Sequence, residues 1–396
     1  MGVTLFSIFR ENVPLTKSSS VEMQCSTKQL ELKQLDSTRC GAKRGGVGPS
    51  SLSARDVPLT ARANLCLSAP GKAGFLMTTA LVFPGQGSQT VGMGKTLADD
   101  FPIAREIFER IDEALSQKLS KIMFEGPASD LMLTANAQPA LMATSIAALK
   151  VLEKESGLKI GEDAAFVAGH SLGEYSALCA SGSLTLEDTA KLLRLRGEAM
   201  QKAVAVGEGA MAAILGLEFG AVAKIATQSA NDLYLTGAVC QAANDNGGGQ
   251  VVISGTKEAV ERAMELAKLA GAKRALPLPV SAPFHCALMQ PAALAMEAAL
   301  KHVAIRRPKP PLVANVTASA VDDPEAIRST LVAQVIGTVR WRESVAYMGA
   351  QGVTRFVEVG TGKVLAGLIK RIAEGATVVS VGTPADVAAF KVATLL

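Results

Sequence analysis

From about residue 80 the apolar positions fall into regular rhythms. Ala80–Phe83 is an unbroken apolar run of strand length, closed by the turn-forming loop Pro84-Gly85-Gln86-Gly87-Ser88. Phe101–Leu119 places apolar residues at helical spacing, and a second helix is expected from about Pro139 to Glu153. Ala164–Gly169 is a short apolar strand that runs into Ser171 and a helix beginning near Leu172. Leu186–Ala203 follows as a helix whose first turn carries Glu187 and Asp188, where negative charge suits the positive end of the helix dipole. Strands alternating with helices imply a mainly parallel sheet covered on both faces.

The rhythm changes between about Gly207 and Ser281. Strand Ala210–Leu217, helix Gly220–Ser229, strands Val239–Asn244 and Gln250–Ser254 around a Gly-rich turn, helix Lys257–Ala270 and strand Arg274–Val280 follow in turn. That is the βαββαβ order of a ferredoxin-like unit, here inserted into a larger α/β body. The body resumes with helix Pro291–His302, strand Leu312–Asn315, helix Pro324–Gln334 and strand Arg355–Val359. The expected division is therefore a large α/β subdomain from 77–206 and 282–396 and a small one from 207–281. Residues 1–76 mix Ser, Thr, Gly and Lys with no sustained period and read as a disordered extension. Two origins are open for it: a start assigned upstream of Met77, or a basic transit peptide, against which its five acidic residues argue.

Composition narrows the function classes. In a chain of 396 residues, 48% hydrophobic, the formal charge is only +4, and outside residues 1–76 there are 30 basic against 31 acidic residues. No nucleic-acid surface is indicated. Apolar runs such as Ala210–Leu217 stop well short of the ~20 residues of a membrane span. Six cysteines without CxxC pairs or histidines at ligand spacing suggest neither a disulfide framework nor a metal site. A reducing compartment is expected: the cytoplasm, or a plastid or mitochondrion if residues 1–76 are a transit peptide.

Candidate chemistry centres on Gly169-His170-Ser171-Leu172-Gly173, a G-x-S-x-G pattern between a strand and a helix. The flanking glycines permit a strained turn that projects the serine hydroxyl, and the new helix directs free N–H groups toward it, that of Leu172 first. A serine N-cap between two incidental glycines is the competing reading. A nucleophilic serine needs a base, and only His170, His285 and His302 are available. His170 adjoins the serine and should leave the turn in another direction, while His302 ends an amphipathic helix. His285, in the proline-stiffened run Pro279–His285 beyond a strand, is the best candidate, with a hydrogen-bonded structural histidine as the alternative.

Five ordered motifs extend this picture: Pro84-Gly85-Gln86-Gly87-Ser88-Gln89, Gly169–Tyr175, Arg196-Gly197 with Met200-Gln201, Pro283-Phe284-His285, and Glu358-Val359-Gly360-x-Gly362-Lys363-Val364-Leu365. In this order they resemble the malonyl-CoA:acyl carrier protein transacylases, over about Thr79 to the C-terminus. The resemblance implies an α/β-hydrolase-like large subdomain and a Ser171–His285 dyad. It also implies a backbone carbonyl from around Arg340 to orient the histidine, and Arg196 to hold the malonyl carboxylate. The backbone N–H of Gln86 would join that of Leu172 in an oxyanion hole. Asn244 and Asn246 match a family segment bordering the site, although Gly248 and its neighbours replace the usual Ser-Pro. Cys286 reads as an inert buried thiol.

The activity so implied is transfer of malonyl from malonyl-CoA to the thiol of acyl carrier protein for fatty acid synthesis. No cofactor is expected beyond the coenzyme A thioester as substrate, and the protein is expected to act as a monomer, away from membranes. Lys273, Arg274, Lys363, Lys370 and Arg371 are the expected contacts for an acidic carrier protein. Competing readings are a serine thioesterase or hydrolase, a polyketide-pathway acyltransferase and a catalytically silent scaffold.

Overall fold

Among the described residues ten strands form two sheets, with helices between them. In chain order the strands are β1 (Thr79–Phe83), β2 (Phe166–Gly169), β3 (Gly209–Leu215), β4 (Cys240–Asp245), β5 (Gln250–Thr256), β6 (Arg274–Pro277), β7 (Leu312–Ala314), β8 (Ser319–Val321), β9 (Arg355–Val359) and β10 (Thr377–Val381). The computed structural model describes residues 79–233, 237–280 and 282–395, without the side chains of 392–395. They fall in one unit, Ala69–Leu396. The expected extension, residues 1–76, lies outside the described residues.

The larger sheet has the order β10-β9-β1-β2-β7-β8. All its pairings are parallel except the β7–β8 hairpin. Strand β1 is buried along its whole length because both faces are covered. Leu81 and Phe83 pack into the main core with Leu141, Ile146 and Tyr175, and Ala80 and Val82 into a second layer with Trp341 and Phe356. The smaller sheet is antiparallel, in the order β4-β5-β3-β6, and has its own core of Ile214, Val222, Ile253 and Val260. Among the described residues no helix is long and apolar enough to cross a membrane.

Topology places the site. From β1 the chain moves to β2 and β7 on one side, then returns to β9 on the other, and such a reversal opens a crevice at the carboxyl ends of parallel strands. Phe83 lies opposite Gly169, so the loop after β1 and the turn after β2 leave the sheet side by side. Glu358 lies opposite Val82, which brings the Gly360–Lys363 loop to the same end. The turn after β2 is tight: a Cβ on Gly169 would lie 2.0 Å from the backbone of Gly173, and one on Gly173 would lie 2.2 Å from the carbonyl oxygen of Phe83.

Several elements differ from the sequence-based expectation. Phe101–Leu119 is two helices, Pro102–Ala114 and Leu119–Glu125, broken where Ser116 takes a φ of 48°. The helix expected from about Pro139 runs Thr134–Ser156 with Pro139 inside it, so taking proline as the start places the boundary five residues late. Helices Trp341–Ala350 and Pro384–Leu395, and strands β8 and β10, had no strong periodic signal.

The contact between Gly173 and β1 yields a prediction. Gly173→Ala should destabilise the fold by about 3 kcal/mol, since the clash is with backbone that has no room to move. A thermal or denaturant midpoint equal to that of the native chain would show that the turn tolerates a side chain.

Candidate active site

Ser171 sits at the turn between β2 and the helix Gly173–Ala180 with a φ of 53°, a conformation costly for a residue with a side chain. Asn315, directly after β7, holds the turn from beneath. Its amide nitrogen donates to the Gly169 carbonyl (2.7 Å) and its side-chain oxygen accepts from the Ser171 N–H (2.8 Å). The strained turn opens into a cavity of about 540 Å³ lined by Gln86, Ser171, Leu172, Arg196, Asn244 and His285, with Phe284 and Met200 among its apolar walls.

His285, also at positive φ (60°), reaches Ser171 from the loop before the helix Gln290–Leu300. Its Nδ1–H donates to the Gln334 carbonyl (2.9 Å), which fixes the tautomer and leaves Nε2 to accept from the Ser171 hydroxyl at 2.7 Å. Burial, and then the nearby Arg196 charge, press the imidazole pKa down to about 3, so the ring is neutral and able to accept a proton. The carbonyl expected from around Arg340 is thus supplied by Gln334 instead. Gln334 lies in the last turn of the helix Pro324–Ile336, where carbonyls lack intrahelical donors. Arg340 precedes the helix Trp341–Ala350, and its carbonyl is taken by Ser344 N–H (2.9 Å).

Arg196 is 1% exposed. One Nη donates to Gln138 (2.7 Å), and the other donates to the Gln334 side-chain oxygen (3.0 Å) and to Ser171 Oγ (3.1 Å). Among the described residues no carboxylate forms an ion pair with it. The nearest link to an acid runs through Gln334, whose Nε2 donates to Glu174 (2.9 Å). Glu174 is fully buried, and desolvation raises its pKa to about 7. A buried cation with neutral hydrogen-bond partners beside a serine–histidine pair has the charge and donors to bind an anionic group.

The other candidates are placed as follows. The backbone N–H groups of Gln86 and Leu172 have no acceptor among the described residues, and both residues line the cavity. Asn244 follows a bulge in β4 and lines the cavity, while Asn246 accepts from His170 Nε2 (2.9 Å). His302 is exposed. Cys286 is buried, with its thiol against the Pro283 carbonyl. Of the five basic residues expected to meet a carrier protein, all exposed, Arg371 lines the cavity.

Residues 80–393 match the acyl transferase domain family. The malonyl CoA-acyl carrier protein transacylase of Bacillus subtilis strain 168 is 47% identical over 305 residues, which are 77% of this chain and 93% of that protein. The chain belongs to the malonyl CoA-acyl carrier protein transacylase family. Among solved structures, the acyl-carrier-protein-S-malonyltransferase of Bartonella henselae is 55% identical with a TM-score of 0.77, over 81% of this chain and all of that one. A holo complex of a type II PKS acyl-carrier protein with its malonyl-transacylase matches at 42% identity and a TM-score of 0.74, over 78% and 97% of the two chains. As a member of this family the protein is an acyltransferase.

Sequence reasoning missed Asn315, Gln334, Glu174 and Gln138. Asn315 had a readable signal, a polar residue at the carboxyl end of a parallel strand. Gln334 and Gln138 had none, because each is a polar residue in a helix whose burial is decided by distant packing.

These ionisation states predict the pH profile. Because the His285 pKa is lowered, acidification to pH 5 leaves the base neutral, and acylation of the free enzyme should show no acid limb near 6.5 from this ring. Glu174 has a raised pKa, so its protonated form favours the fold. That contribution is full below 4.5 and is lost as pH rises through about 7. The thermal midpoint of the native chain should therefore fall as pH rises through about 7, and that fall should vanish in Glu174→Gln. An acid limb near 6.5 that persists in that variant would contradict the assignment.

Proposed function

We propose that the chain transfers malonyl from malonyl-CoA to the phosphopantetheine thiol of acyl carrier protein, through an ester on Ser171, to supply fatty acid synthesis. Ser171 Oγ attacks the thioester carbonyl as its proton passes to His285 Nε2. Backbone N–H groups of Gln86 and Leu172 hold the oxyanion, and the C–S bond breaks with the proton delivered to the departing coenzyme A sulfur. The carrier-protein thiol then attacks the ester, giving its proton to His285, and Ser171 leaves with that proton. Oxidation states do not change, so the sequence of steps needs no redox cofactor.

The observation that carries the malonyl assignment is Arg196, buried without an acid 3.1 Å from the nucleophile. A thioesterase acting on neutral acyl chains has no use for an unpaired guanidinium there. Phe284, in the cavity wall next to His285, would crowd a substituent on the carbon between the malonyl carbonyls. The fold reading that goes with this function is an α/β-hydrolase-like body (77–206 and 282–396) carrying a ferredoxin-like unit (207–281). The βαββαβ order and the β4-β5-β3-β6 sheet support it. Carrier-protein docking at the cavity mouth is supported by Arg371, with Lys363 and Lys370 exposed on the same segment. The reading includes a monomer acting away from membranes, and the bacterial relatives are in keeping with a cytoplasmic location.

The test is a set of kcat/KM values for malonyl-, methylmalonyl- and acetyl-CoA. Arg196→Ala should raise the malonyl barrier by about 2–4 kcal/mol, the scale for removing one partner of a desolvated charge pair, and acetyl transfer should fall far less or rise. Methylmalonyl should be the poorer dicarboxylic donor. Equal losses for malonyl and acetyl would mean that Arg196 supports structure and does not read the carboxylate.

A further inference from the structure

Arg196 touches the nucleophile itself as well as the space where a substrate carboxylate would sit. Its Nη2 donates to Ser171 Oγ at 3.1 Å, while the Ser171 hydroxyl donates to His285 at 2.7 Å. One lone pair of the attacking oxygen is therefore engaged by a charged donor in the free enzyme. As Oγ bonds to carbon it becomes a poorer acceptor, so this hydrogen bond is stronger before attack than in the transition state, and it raises the barrier. The same guanidinium opposes the positive charge that His285 acquires on taking the proton.

From this we propose that the Arg196 to Ser171 hydrogen bond is a brake on the nucleophile, released when the carboxylate of the incoming acyl group takes over the guanidinium. The inference rests on Arg196 as the carboxylate partner and adds a second layer of selectivity to it. Three of the four Nη hydrogens are committed to Gln138, Gln334 and Ser171, and Nε is buried without an acceptor. A carboxylate approaching from the cavity therefore finds two accessible donors only by combining the uncommitted Nη1 hydrogen with the one held by Ser171. The held hydrogen is the one that moves, because the bond to Ser171 is only partly buried, whereas the bonds to Gln334 and to Gln138, which also borders the cavity, are both buried. Donors without a carboxylate meet a serine that is still restrained.

The test uses the full chain and an uncharged alkyl fluorophosphonate. Ser171 Oγ forms a bond to phosphorus, fluoride leaves, and the serine proton goes to His285. The second-order rate is read from intact mass, with the site confirmed by peptide mapping. Arg196→Met, which keeps most of the side-chain volume, should be phosphonylated about tenfold faster than the native chain, the scale of one charge-assisted hydrogen bond removed from the ground state. Formate at constant ionic strength should accelerate labelling of the native chain saturably and leave Arg196→Met unaffected. A cooperatively melting Arg196→Met labelled no faster than native overturns the proposal. If that variant does not fold, the formate series decides: a flat or falling rate overturns the brake, and a saturable rise sustains it. Selective loss of malonyl transfer without faster labelling would sink the brake alone, whereas equal losses for malonyl and acetyl would sink the carboxylate reading beneath it.

Discussion

Arg196 keeps its charge inside a protein interior where an unpaired ion costs several kcal/mol to bury, and the groups around it are arranged to bear that cost without cancelling the charge. Two glutamine side-chain oxygens and the serine hydroxyl accept its hydrogens, and the ring of Tyr175 lies 5.7 Å from the guanidinium carbon. Neutral acceptors satisfy hydrogen bonds and leave the positive field available to a ligand. An adjacent carboxylate would satisfy the ion better, and it would also close the site to an anionic acyl group.

Gln334 joins this cation to the rest of the chemistry. Its backbone carbonyl orients His285, its side-chain oxygen holds Arg196, and its amide nitrogen donates to Glu174 and to the Ser171 carbonyl (3.0 Å). Its position in a last helical turn is what frees the carbonyl, and the negative end of the helix dipole there favours the imidazolium formed during transfer. The His285 ring, the Arg196 guanidinium and the Ser171 turn therefore share one support. Such convergence explains why no acidic residue is needed to orient the histidine.

How far the residues alone foretold this arrangement follows from the range of the forces involved. The turn at Ser171 is readable because its glycines answer a local constraint, and the βαββαβ order because each element has its own period. His285 was reachable by elimination among three histidines. The orienting carbonyl was placed six residues too late, at Arg340, because the distinction between a carbonyl freed at a helix end and one consumed at a helix start is absent from the residue type. The Gln138, Asn315 and Glu174 contacts join residues 58 to 160 positions apart along the chain, and apart from the place of Asn315 at the end of a parallel strand nothing in their neighbours announces them. The break at Ser116 and the short strand β8 were invisible for the opposite reason, since a few residues carry too little pattern to compete with the longer periods around them.

Trapping the acyl intermediate decides whether transfer passes through Ser171. Incubating the protein with malonyl-CoA in the absence of carrier protein, quenching in acid and mapping peptides by mass should place one malonyl group on Ser171 and none in Ser171→Ala. A malonyl group on Cys286 or any other side chain, or transfer that survives the serine substitution, would contradict the account.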